Sequence, residues 1–139
     1  GPENVGLKKK IEELHLGESV SLVGKKPQKE LFEYIKASDV FILNTAYEGF
    51  SHQLLEVMAL LTPIITTPEG GNSEIITDRD NGLFVPYNDR LLIQKTVHTL
   101  FTVHTLACNL VKNAQKKIIV FSNERMFDAL IKEFSISNL

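Results

Sequence analysis

Two carboxylates frame the stretch "NTAYEGFSHQLLEVMALLTPIITT", Asn44 to Thr67: Glu48 and Glu56, with seven residues between them. Glu48 sits in a loop-like "YEGF" and Glu56 inside an apolar helical pattern. An ionised carboxylate accepts hydrogen bonds through two oxygens, which suits a vicinal diol such as a ribose. A carboxylate beside a reacting centre can also balance positive charge that builds during reaction. Ser51, between the two, is placed as a helix N-cap. The amides of Gly49, Phe50 and Ser51 then lie at a helix N-terminus, where N–H groups and the helix dipole favour a phosphate oxygen. Gly49 lets a ligand approach the backbone closely.

The angle around the helix leaves two readings of Glu56. At about 100° per residue, Leu54, Leu55, Val57, Met58 and Leu61 form one broad apolar face. Glu56 lies opposite, beside His52 and Ala59. It is either a solvated glutamate or a cleft-lining one. Glu48 is likewise either a loop-surface acid or a ligand contact.

The elements that must position these residues follow from the periodicity. Leu7, Ile11 and Leu14 predict a helix over 6–15, with Gly17 placed to end it. "SVSLVG", Ser19 to Gly24, reads as a short strand, and Pro27 opens a second helix with Leu31, Phe32 and Ile35 on one face. "VFILN", Val40 to Asn44, is a continuous apolar run, the habit of a parallel strand buried on both faces. The Glu56 helix comes next, and then "PIITT", Pro63 to Thr67, as another buried strand. "PEGGNSEII" is a glycine turn feeding a short helix capped near Asn72 or Ser73. "GLFV", Gly82 to Val85, is a further strand, and Pro86 to Asp89 starts the next helix. Two more helices are expected over 104–119 and 123–134. Strands and helices thus alternate four times, which implies an α/β, Rossmann-like, doubly wound parallel sheet. The 139 residues suit one domain, 1–139.

Composition excludes several classes. With 43% hydrophobic and 23% charged residues the chain is globular. A net charge of −2 gives no electrostatic reason to expect nucleic acid. The lysines Lys8 to Lys10 are followed by Glu12 and Glu13, as on a solvated helix face. The single cysteine, Cys108, rules out an internal disulfide, and its apolar surroundings predict a buried, inert thiol. A reducing, cytoplasmic setting fits. His98 and His104 share no helical face, so no metal is expected there, and His52 is either an ordinary helix-start residue or the edge of the site. No run approaches the roughly 18 to 20 apolar residues of a membrane helix. No G-x-G-x-x-G follows any strand, which argues against a dinucleotide-binding oxidoreductase.

"YEGFSHQLLEVMA" resembles the Glu-(seven residues)-Glu signature of retaining GT-B glycosyltransferases of family four, the glycosyl transferases group 1. "ASDVFILNT", "TPIITTPEGGNSEIITDRDNGLFVPYND" and "FSNERMFDALIKEF" resemble the segments that surround it there. The resemblance implies the C-terminal, donor-binding half of such an enzyme, which transfers a hexose from a nucleotide-diphospho-sugar, UDP- or GDP-linked, to an acceptor. By that likeness Glu48 contacts the transferred sugar and is the catalytic residue. The amides of Gly49, Phe50 and Ser51 hold the sugar and diphosphate, with Leu55 beside them. Glu56 binds the ribose hydroxyls, and the loop around Gly24 and Lys25 flanks the nucleobase. No cofactor and no metal is implied.

The chain also departs from that pattern. The family's domain opens with two strands, and with an arginine and a lysine that clamp the diphosphate. None of these is matched here, nor is the N-terminal acceptor domain, through which a peripheral membrane attachment would come. The chain therefore reads as a fragment lacking the first two strands, and a non-catalytic nucleotide-sugar-binding fragment is the alternative function. Leu61 stands where the family usually has glycine, in a left-handed helix cap.

Overall fold

The computed structural model describes residues 4–47, 49 and 51–121. The chain divides into two compact units, Gly1–Leu31 and Phe32–Leu139.

The first unit holds α1 (Asn4–Glu13) and the start of α2 (Gln28–Lys36). The end of α1 is not made by Gly17. His15 adopts φ 52° and donates its N–H to Glu12, while the Leu16 N–H reaches Ile11 at 2.9 Å. That pair of bonds is a Schellman closure with histidine in the left-handed position usually given to glycine. Residues 20–23, expected as a strand, carry no strand pairing. Their β-branched and apolar composition supplies propensity, but a strand exists only where a neighbour completes its ladder, and none is paired with it here. Val20, Leu22 and Val23 are exposed.

The second unit is built on a parallel sheet. Among the described residues it has three strands, β1 (Phe41–Leu43), β2 (Ile64–Thr66) and β3 (Leu83–Phe84), in the order β1-β2-β3. The sequence predicted four strands, and the difference is the 20–23 segment. Phe41 pairs with Ile64 and Leu43 with Thr66; Ile65 pairs with Leu83. Neighbouring strands are consecutive in the chain, each pair joined through a helix, as parallel pairing requires. β2 is central and fully buried. β1 is an edge, and Ile42 is 40% exposed, so this strand is not buried on both faces as its apolar run suggested.

The helices of this unit are α3 (His52–Ala59), α4 (Asn72–Ile75), α5 (Arg90–Thr102) and α6 (His104–Phe121). Ile65, Leu83 and Val85 pack with Leu100 of α5 and Leu110 of α6 as one core. Leu110, Ala114 and Ile118 recur every four residues and bury one stripe of α6. A leucine or isoleucine such as Leu110 or Ile118 contributes about 1.5–3 kcal/mol when fully buried. Cys108 is exposed, contrary to the expected buried thiol. It lies two residues from Leu110, about 200° round the helix, and so points away from that stripe. The expected helix over 123–134 lies outside the described residues.

Candidate functional site

The loop of the Glu-(seven residues)-Glu signature leaves the carboxyl end of β1 and enters α3. In open parallel sheets this is where ligands bind. Ser51 is the N-cap of α3, with φ −86° and ψ 90°. Its side chain makes no capping hydrogen bond, and its backbone carbonyl accepts the Leu54 N–H at 3.1 Å. Gly49 is exposed, and a Cβ there would meet nothing within 4 Å. Packing does not demand glycine at this position; its effect is to leave room in front of the backbone.

One turn further on is Glu56. From Leu54 to Leu60 it is the one residue that is not fully buried, and it is half-buried rather than solvated. Ala59, expected on the same side, is buried as well. Leu55 is 1% exposed, so almost none of its surface is open to a ligand. The structure thus gathers Gly49, Ser51, Leu55 and Glu56 on one loop-and-helix element. Gly24 (φ 66°) and Lys25 belong to the other compact unit, where both are exposed. Glu48 and Phe50 lie outside the described residues.

Polar residues that the sequence reading did not single out anchor this element. Asn44, just after β1, and Asn88, just before α5, clasp each other. The Asn44 side-chain amide donates to the Asn88 side-chain oxygen at 3.1 Å, and the Asn88 backbone N–H donates to the Asn44 side-chain oxygen at 3.0 Å. Asn88 holds φ 58°, a conformation asparagine tolerates better than most residues. At the end of β2, the Thr66 and Thr67 hydroxyls donate to the carbonyls of Leu43 (3.0 Å) and Thr45 (2.7 Å). The available signal was the switch from apolar to hydroxyl side chains at the end of "PIITT".

The glycine turn after β2 also differs from its expected form. Gly71 is the N-cap of α4, and neither Asn72 nor Ser73 caps it. Asn72 turns inward and donates from Nδ2 to Thr66 Oγ1 and to the Thr67 carbonyl, both at 3.1 Å. The Ser73 hydroxyl donates back to the Pro68 carbonyl at 2.8 Å.

Comparison with known proteins places the family and the fold. Residues 1–117 match the glycosyl transferases group 1 family. The amylovoran biosynthesis glycosyltransferase AmsD of Erwinia amylovora is 31% identical over 115 residues, covering 82% of this chain and 32% of AmsD. The N-acetyl-alpha-D-glucosaminyl L-malate synthase of Bacillus anthracis is 29% identical over 118 residues, covering 85% of this chain and 30% of that enzyme. The chain thus spans about a third or less of the length of these relatives. Among solved structures, the C-terminal domain of the group 1 glycosyl transferase LpcC from Francisella tularensis superposes with a TM-score of 0.74 at 24% identity, over 83% of this chain and 60% of that one. HepE of Anabaena, solved in complex with UDP-glucose, superposes with a TM-score of 0.76 at 20% identity, over 95% of this chain and 35% of HepE. The chain belongs to the glycosyl transferases group 1 family and has the fold of the C-terminal domain of its GT-B members.

Proposed function

We propose that this chain is the donor-binding part of a retaining glycosyltransferase that transfers a hexose from a nucleotide-diphospho-sugar. The observation that carries the reading is the α3 entry. The helix entry at Ser51, whose side chain makes no capping bond, stands beyond the exit of β1, and the half-buried Glu56 follows one turn later. The diphosphate is held by the amides of Gly49 to Ser51, the ribose hydroxyls by Glu56 and the transferred sugar by Glu48. The likeness to HepE, a protein solved with UDP-glucose, supports a UDP-linked donor.

The test is titration of UDP and GDP against the wild type and Glu56→Gln, both first confirmed folded. Hydrogen bonds to a carboxylate are typically worth about 1.5–3 kcal/mol, so the variant is expected to bind roughly ten-fold or more weakly. Equal affinity of the two proteins would remove Glu56 from the ribose site. A wild type that binds neither nucleotide would overturn the donor-site reading.

A further inference from the structure

We propose that Thr67, supported by Thr66 and Asn72, is a positioning residue that fixes the β1 exit from Asn44 to Tyr47. The inference deepens the donor-site reading and rests on it for its functional part. Three observations carry it. First, Thr66, Thr67 and Asn72 are completely buried, although none of them is an apolar residue. Second, their hydrogen bonds run in one direction, toward the loop. Asn72 holds Thr66 Oγ1 and the Thr67 carbonyl. Thr66 holds the Leu43 carbonyl, and Thr67 holds the Thr45 carbonyl. Thr45 continues the series, since its hydroxyl donates to the Tyr47 carbonyl at 2.7 Å and accepts the Tyr47 N–H at 3.4 Å. Tyr47 is the residue before Glu48.

Third, the Oδ1 of Asn72 is buried with no hydrogen-bond partner among the described residues. The amide cannot be turned round to relieve this, because the Thr67 carbonyl is an acceptor only and must face the Nδ2 donor. A buried, unpaired acceptor is destabilising. What the residue contributes is its pair of donors, which set Thr66 and Thr67 at the end of β2. The β1 exit is thereby tied to the central strand by side chains, beyond the point at Leu43 where backbone pairing ends.

The deciding measurement is hydrogen exchange of the backbone amides over 44–47 in the wild type, Thr67→Val and Thr67→Ser. Valine keeps the shape and removes the hydroxyl; serine keeps the hydroxyl. Thr67→Val is expected to speed exchange over 44–47, the Tyr47 amide above all, with α5 and α6 unchanged, and Thr67→Ser to restore protection. UDP affinity is expected to fall in Thr67→Val and recover in Thr67→Ser. Unchanged loop exchange, or acceleration spread evenly over α5 and α6, would overturn the proposal. So would a loosened loop with unaltered affinity for a nucleotide that the wild type binds. Should the wild type bind neither UDP nor GDP, the donor-site reading fails, and the exchange data alone decide whether Thr67 positions the loop.

Discussion

Thr62 donates its backbone N–H to the carbonyl of Val57 at 3.4 Å, reaching across Leu61, whose φ is 63°. Leu61 in turn donates to Met58 at 3.2 Å. Together the two bonds form a Schellman closure of α3 with a leucine in the left-handed place. This is the position where the family resemblance implied a glycine.

Two effects oppose each other at Leu61, and their sizes decide the outcome. Leu61 is 42% exposed and lies beside Pro63, Ala107 and Val111, so truncating it forfeits about 1 kcal/mol of burial. Relief of the left-handed strain returns about 1 kcal/mol, but only to glycine. Leu61→Gly is therefore expected to unfold near the wild-type urea midpoint, and Leu61→Ala to be less stable than Leu61→Gly by about 1 kcal/mol. An alanine variant as stable as the glycine variant would contradict the strain.

Gly82 faces a different constraint. A Cβ there would sit 2.8 Å from Ile76 Cγ2 and 3.4 Å from the Ile64 carbonyl oxygen. Ile76 is buried and cannot swing aside without disturbing the core. Gly82→Ala is expected to destabilise by about 1–3 kcal/mol. Made in an Ile76→Ala background, the same change should cost less, with a coupling of about 0.5–3 kcal/mol. Urea denaturation of the four proteins measures that coupling, and simple additivity would refute the clash.

Asp89 caps α5, accepting the Leu92 N–H at 2.9 Å. Removing the oxygen in Asp89→Ala should cost about 1 kcal/mol, whereas Asp89→Asn keeps an acceptor and should lie within a few tenths of the wild type. Thermal unfolding separates the two. The cap also closes the turn that holds Asn88 against Asn44, so its loss should show first in the exchange of the 86–89 amides.

How far the sequence spoke depended on whether a feature was local. α3, α6 and the central strand were legible because periodicity and an apolar run are properties of the segment itself. The strand expected at 20–23 was not, because pairing depends on a neighbour elsewhere. His15, rather than Gly17, ends α1 because its terminal bonds outweigh the preference for glycine. On α3, the sequence placed Ser51 at the N-cap and Glu56 off the apolar face, but it did not show the inward turn of Asn72 or the ties from Thr66 and Thr67 to the β1 exit. The ties from Thr66 and Thr67 join residues more than twenty positions apart, and no spacing rule connects Thr67 with Thr45.

The 139-residue chain, assayed alone, is expected to transfer no sugar. Transfer needs an acceptor held in register with the donor, and such positioning supplies about 7–11 kcal/mol of the barrier lowering in well-oriented reactions. The relatives AmsD and the Bacillus anthracis synthase are about three times as long as the segment matched here. In the proposed reading, the α3 amides, Gly49 and Glu56 serve the donor. Binding a donor without placing an acceptor lowers no barrier to transfer. Purified chain should therefore leave UDP-glucose, UDP-N-acetylglucosamine and GDP-mannose at buffer levels of turnover, while still binding the free nucleotide in a parallel titration. Transfer by this chain alone would show that 139 residues position both substrates.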